Sequence, residues 1–255
     1  MQATGRIGDR LRGMGRAHWL GLFGGVLAAW AVLFAMQMPP DMATAIRLGG
    51  ADWWEALCSP APGVAGAWAV FAMWALMAGA MMAPTAIPAL ATFDDLRGVA
   101  AGGFGALLAG YLTVWLGFAA LATAAQLALA GAGLVSALGE SLSRPLTAGL
   151  LALAGLWQFS SLKEACLSRC RRPLVFFIDH WAEGPWRMGL RLGALCLGCC
   201  WALMALAFVG GTMNLIWMGG AMVLMTLEKL PSLGRPLTRP VGAALLGAAV
   251  MALVV

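Results

Sequence analysis

The alternation of long apolar runs with short polar segments is the most regular feature of this chain. The polar segments are rich in charge, proline or glycine. A helix that crosses a bilayer needs about 20 mainly apolar residues. Seven runs approach this length and predict helices over approximately 19–38, 64–90, 99–127, 146–165, 190–210, 213–229 and 238–255. The last run is the weakest, because Arg239 and Pro240 leave about 15 clean residues, or about 22 Å of helix.

This pattern predicts an all-α fold, a polytopic transmembrane bundle of about seven helices. We expect residues 1–255 to form a single integral-membrane domain, since no polar stretch is long enough for a separate soluble module. Residues 1–17 are expected to be a basic cytoplasmic segment, 39–63 a periplasmic loop, and 166–189 a cytoplasmic interfacial loop. The first apolar run is long enough to span and is followed by Pro39-Pro40, so it reads as a retained helix rather than a cleaved signal peptide.

The positions of the basic residues predict the orientation. Lys and Arg near helix ends remain on the cytoplasmic side of a membrane. With seven helices and the N-terminus inside, only Arg47 and Arg144 of the 16 Lys and Arg residues fall outside. We therefore expect a multi-pass protein of the bacterial inner membrane.

Composition agrees with a lipid environment. The chain is 62% hydrophobic and 11% charged, whereas an ordinary soluble domain is about 25% charged. The net charge of +5 comes from basic residues in short loops, which are topology signals rather than a nucleic-acid stripe. The lipid bilayer is the expected partner, and no nucleic acid is expected.

Few polar side chains remain for chemistry inside the predicted helices. Glu164 and Glu228 fall at helix ends, and the only histidines, His18 and His180, lie at membrane edges. This pattern argues against a proton-coupled carrier and against a transmembrane bis-His haem. Neither a phosphate loop nor a Ser/His/Asp set is visible, so we predict that the protein is not an enzyme.

Clustered sulfur is the main candidate chemistry. The topology puts two cysteine groups on the cytoplasmic side: Cys166 and Cys170, and Cys196, Cys199 and Cys200. Residues three or four apart on a helix have Cβ atoms about 5–6 Å apart, and two sulfurs on one metal ion lie about 4.6 Å apart in a linear site. Soft thiolate and thioether ligands select Cu(I). We therefore predict that these five cysteines bind Cu(I).

Methionines extend the sulfur-rich region. Met73, Met77 and Met81 recur every four residues in the second predicted helix, and Met204 follows the cysteines of the fifth. Met77, Met81 and Met204 are secondary candidates for copper ligands. Packing is the alternative role for each of them, since methionine commonly fills gaps between helices.

Other polar residues near the cysteines admit two interpretations. Glu164 and Glu228 either support the metal ligands from a second layer or are solvated at helix ends, Glu228 beside Lys229. The cluster of arginines at 169, 171 and 172 is typical of a topology signal at lipid headgroups. Cys58, alone in the predicted periplasmic loop, is interpreted as a free thiol.

Three motifs carry a family resemblance over most of the chain. They are MWALMAGAMMAPTAIP at 73–88, WQFSSLKEACLSRCRRP at 157–173 and GALCLGCCWALMALAFVGGTMNLIWMGGAMVLMTLEK at 193–229. On these motifs the sequence resembles the bacterial domain of unknown function 2182 family, described as predicted metal-binding integral membrane proteins. The resemblance implies a copper chaperone, the label that members often carry. Phe159-Ser160-Ser161 stands where the family pattern has Thr-Pro, which leaves the geometry of that helix end open.

Together these features favour a membrane protein that binds Cu(I) near the cytoplasmic face for copper delivery, storage or transport. Its partner would be another membrane protein or a copper donor or acceptor protein. One alternative is a membrane thiol redox or iron-sulfur protein, because clustered cysteines also support that chemistry. The other is a structural or assembly subunit of a larger membrane complex, in which Met and small residues only pack.

Overall fold

The computed structural model describes residues 17–36, 64–97, 103–136 and 138–254. The predicted loop at 39–63 with Cys58, and the basic segment before residue 17, lie outside these ranges. The α-helices of the described part are α1 (Ala17–Ala35), α2 (Val64–Thr85), α3 (Ile87–Arg97), α4 (Gly103–Gly131), α5 (Arg144–Gln158), α6 (Ser161–Cys170), α7 (Pro173–His180), α8 (Pro185–Ala205), α9 (Ala207–Gly210), α10 (Leu215–Lys229) and α11 (Gly234–Val254).

Five of these helical segments are long and apolar enough to cross a membrane. They comprise α1, most of α2, α4, the continuous stretch of α8 and α9, and α11. The bent pair α5 and α6 makes a sixth if the two are one span. The structure thus supports an all-helical fold with five or six candidate spans. The number seven and the orientation stay predictions, since α10 has only 15 residues.

The last helix is longer than the apolar pattern indicated. It runs for 21 residues from Gly234 and contains Pro240. Proline removes only one backbone hydrogen bond, and helices in lipid tolerate it where neighbouring groups compensate. The whole helix is therefore long and apolar enough for a span, because the residues before Pro240 belong to it.

The predicted continuous helix over 146–165 is wrong. The chain breaks after Gln158, and α6 leaves α5 at an angle of 63°. Ser160 is extended, and its hydroxyl accepts a hydrogen bond from the Leu162 amide. A serine that caps a new helix in this way competes with continuation of the previous one. The break falls at the Phe159-Ser160-Ser161 departure from the family pattern.

Helix α8 lies at the centre of the bundle and packs most extensively against α4. Glycines permit the close approach: a methyl group at Gly193 would lie 2.9 Å from the Tyr111 carbonyl oxygen, and one at Gly189 would collide with the Leu107 carbonyl. This contact places Tyr111 beside Cys196. The backbone packing of α4 and α8 thus positions the candidate site.

The segment predicted as an interfacial loop at 166–189 is mostly helical. It contains the end of α6, then α7 and a short 3-10 helix at Trp181–Glu183. Phe177 is buried, with its ring 5.3 Å from that of Phe93. Ile178 on the same helix is exposed. One side of α7 therefore packs on the bundle, and the other presents apolar surface.

Candidate metal centre

Three thiols on α8 form the core of the candidate site. Cys196, Cys199 and Cys200 are at most 2% exposed, and their sulfur atoms all lie within 4.8 Å of one another. The Cys199 and Cys200 sulfurs are 3.2 Å apart, and the Cys199 thiol donates to the Cys196 carbonyl oxygen at 3.1 Å. Helical spacing at i, i+3 and i+4 gathers these side chains on one side of the helix.

The cluster lies deeper in its helix than the sequence indicated. Helix α8 begins at Pro185 rather than at residue 190, so Cys196 is about three turns, or about 16 Å, from the first residue. Since the three thiols are also buried, they lie inside the bundle.

A buried ammonium group and a phenol both contact the Cys196 sulfur. Lys229 Nζ lies 3.0 Å from this sulfur and also donates to the Thr85 hydroxyl at 2.6 Å. The Tyr111 hydroxyl is likewise 3.0 Å from the sulfur, and it donates to the Met82 carbonyl oxygen at 2.9 Å. The Lys229 ammonium, which donates to the Cys196 sulfur, stabilises negative charge there in a dry environment.

The two cysteines of α6 approach the cluster from the side. Cys170 is partly exposed and lines the same small cavity as Cys196. Cys166 is buried against α8, where a methyl group at Gly198 would lie 2.7 Å from its sulfur. All five of these cysteines are free thiols. The structure therefore brings both sequence groups to one region of the bundle.

The three candidate methionines are all buried. Met77 and Met81 on α2 and Met204 on α8 are each at most 2% exposed and belong to the hydrophobic core. Such burial suits both packing and thioether ligation, so a ligand role for them stays a prediction.

The charged residues near the cluster are placed differently from the sequence expectation. Lys163 Nζ and Glu228 Oε2 form an ion pair at 2.8 Å with side chains 0% and 1% exposed. Arg171 Nε donates to the Glu228 carbonyl oxygen at 2.9 Å, and Arg171 Nη1 pairs with Glu164 at 3.0 Å. The predicted solvation at a helix end is therefore wrong for Glu228 and its neighbour Lys229, which are buried. Glu164 is exposed, as that prediction requires.

The end of α10 is buried because other elements cover it. Helix α6 lies on one side, and the first turn of α11 comes so close that a methyl group at Gly234 would collide with the Glu228 carbonyl. Arg171 is accordingly buried, with 7% of its surface exposed, and does not face lipid headgroups as the sequence indicated. In the sequence, the adjacent charges of Glu228 and Lys229 at the end of an apolar run were the one feature that could have marked these residues as part of the site. Tyr111 and Thr85 had no such feature.

The donor set suits a soft monovalent ion. With metal–sulfur bonds of about 2.3 Å, sulfurs lie about 4.0 Å apart in a trigonal site and about 4.6 Å apart in a linear one. The three α8 sulfurs all lie within 4.8 Å of one another, and the Cys199 and Cys200 sulfurs, 3.2 Å apart, would have to move apart to reach either spacing. Within the part of the chain that the structure describes, Cys196, Cys199 and Cys200 form a group of potential metal ligands that consists of thiols alone. Such a group favours Cu(I) over ions that prefer oxygen or nitrogen.

Comparison with known proteins identifies one related family. The sequence profile of PpoB2, described as a copper chaperone, matches residues 71–252. This confirms the family resemblance carried by the three motifs. Neither a curated protein nor a solved structure matches the chain significantly.

Proposed function

Because this chain belongs to the PpoB2 copper chaperone family, we propose that it is a membrane-embedded copper chaperone that holds Cu(I) and passes it to another protein. Cys196, Cys199 and Cys200 are the principal ligands. The observation that carries the proposal is the grouping of their three buried sulfurs within 4.8 Å of one another.

The surroundings of the thiols support copper as the cargo. A complex of Cu(I) with two or three thiolates is anionic, and the Lys229 ammonium 3.0 Å from Cys196 offsets that charge. The nearby Glu228 carboxylate is paired with Lys163 and is not needed by the metal. Burial of Met77 and Met81 in the same core supports them as additional thioether ligands.

The membrane placement follows from the helices and the charges. The candidate spans support a multi-pass membrane protein, and the bias of Lys and Arg supports a bacterial inner membrane with the N-terminus in the cytoplasm. The cluster then lies toward the cytoplasmic side, within reach of a cytoplasmic or membrane-bound copper donor or acceptor. Copper binding and transfer, with no catalytic step, give a role to the three α8 thiols and to the Lys229 ammonium.

Metal content of the purified protein tests this function. The protein is purified in detergent under reducing conditions from copper-supplemented cells, and metals are measured by inductively coupled plasma mass spectrometry. We expect stoichiometric copper in the wild type and its loss when Cys196, Cys199 and Cys200 are all replaced by Ser. The Cys58→Ser variant is the matched control thiol and is expected to retain copper.

Three results would contradict the proposal. Stoichiometric zinc or iron would identify a different metal, and brown visible absorbance would identify an iron-sulfur protein. A wild type that contains no metal after copper supplementation would leave packing as the role of the cysteines.

A further inference from the structure

The cysteines of the candidate centre differ in their access to the surface. The three α8 thiols are at most 2% exposed, whereas Cys170 is partly exposed. We propose that Cys170 is the uptake thiol of this protein, which takes Cu(I) from an incoming copper–thiolate complex and passes it to Cys196 and its neighbours. This inference rests on the proposed function, since it assumes that copper is the cargo.

A small cavity joins the uptake thiol to the buried cluster. Cys170 and Cys196 both line it, and Thr85, Tyr111 and Lys229 complete much of its wall. Its volume of about 20 Å³ holds roughly one particle of the size of a water molecule. A copper ion bound to Cys170 therefore needs to cross only this space to reach Cys196.

The end of α6 is held in place and is flanked by positive charge. Arg171, the residue after Cys170, donates to the Glu228 carbonyl oxygen of α10 at 2.9 Å, which anchors the helix end. Arg169 and Arg172 are exposed. Complexes of Cu(I) with two thiolates are anionic, so exposed cations beside the uptake thiol increase the rate of encounter.

Each transfer step is a ligand exchange without electron transfer. In the first, a Cu–S bond to the donor breaks, a Cu–S bond to Cys170 forms, and the Cys170 thiol proton goes to the departing donor sulfur. In the second, copper bonds to the sulfurs of Cys196 and Cys199 as its bonds to Cys170 and to the remaining donor sulfur break. The protons of the Cys196 and Cys199 thiols pass to Cys170 and to that donor sulfur, so Cys170 is restored as a thiol and copper remains Cu(I) throughout.

Uptake kinetics separate this role from that of a resident ligand. Reduced protein in detergent is mixed with the coloured Cu(I)–bicinchoninate complex, and the loss of colour is followed by stopped flow. For Cys170→Ser we expect uptake slowed about tenfold or more with the final copper content and affinity nearly unchanged, because a residue that copper only passes through changes the rates of uptake and release by the same factor. Cys196→Ser should lower the equilibrium affinity, and the Cys58→Ser control should change neither quantity.

The outcomes distinguish this inference from the proposed function. If the wild type holds no copper at equilibrium, the proposed function itself fails. If the wild type holds copper and Cys170→Ser takes it up at the wild-type rate, only the uptake role fails. A loss of equilibrium affinity in Cys170→Ser equal to that in Cys196→Ser would also overturn the role and make Cys170 a resident ligand.

Thiol labelling tests the same claim without copper and without a substitution. The folded, reduced wild type is treated with limiting maleimide, and modified cysteines are identified over time by peptide mass spectrometry. We expect Cys170 to be modified before the α8 cysteines. Modification of Cys196 or Cys199 first would show that the cluster is reached by another route and would refute the uptake role.

Discussion

The buried ion pair between α6 and α10 gives the sharpest test of the structure around the metal centre. Glu228→Gln keeps the shape of the side chain but removes its charge, which leaves the Lys163 ammonium without its counterion. The two side chains are 0% and 1% exposed. Removing one partner of such a pair costs about 3–5 kcal/mol.

An exposed pair in the same chain provides the matched control. Glu183 pairs with Arg191 at 2.6 Å, with side chains 27% and 57% exposed. Solvated pairs contribute about 0–1 kcal/mol, so Glu183→Gln, the same chemical change, should have little effect. For a chain of this size, 1 kcal/mol corresponds to about 2–4 °C in Tm.

Thermal unfolding in detergent, followed by tryptophan fluorescence, measures the difference. We expect Glu228→Gln to lower Tm by about 6–20 °C and Glu183→Gln by less than about 4 °C. The double variant Lys163→Met/Glu228→Leu should recover much of the loss, because it leaves no unpaired buried charge. Equal losses in the two Gln variants would refute the burial and pairing of Glu228.

Two further variants address the thiols themselves. Lys229→Met removes the ammonium that contacts the Cys196 sulfur at 3.0 Å. Its loss should weaken Cu(I) binding about 10- to 150-fold, as for loss of a charged hydrogen bond. Competition with a chromogenic Cu(I) chelator measures the affinity, and an unchanged affinity would contradict a role for Lys229 in copper binding. Gly198→Ala would put a methyl group 2.7 Å from the Cys166 sulfur and should lower the free energy of unfolding by about 1–3 kcal/mol through overpacking. Gly220→Ala is the control, because a methyl group there meets nothing within 4 Å. A Tm loss as large in Gly220→Ala as in Gly198→Ala would contradict this placement of Cys166.

The sequence predicted those parts of the fold that depend on local pattern. Apolar length located most of the helices, and spacing on a single helix placed Cys196, Cys199 and Cys200 together. Both are properties of one continuous segment, so no knowledge of tertiary packing was required. The ligand role assigned to these thiols stays a prediction that rests on chemistry.

The features that the sequence did not reveal depend on contacts between distant segments. Lys163 and Glu228 are 65 residues apart, and their contact depends on the bend that Ser160 introduces before α6. Lys229 reaches Cys196 and Thr85 only because α2, α8 and α10 meet at one level of the bundle. When an apolar run ends at a charged residue, the sequence does not indicate whether that side chain is exposed to water or packed against another helix.

Copper X-ray absorption on the loaded, reduced protein tests the central claim most directly. We predict an edge typical of Cu(I) and a first shell of two or three sulfurs at about 2.3 Å, which disappears when Cys196, Cys199 and Cys200 are all replaced by Ser. A first shell of nitrogen or oxygen, or a sulfur shell unchanged in the triple variant, would show that the α8 thiols do not hold the metal.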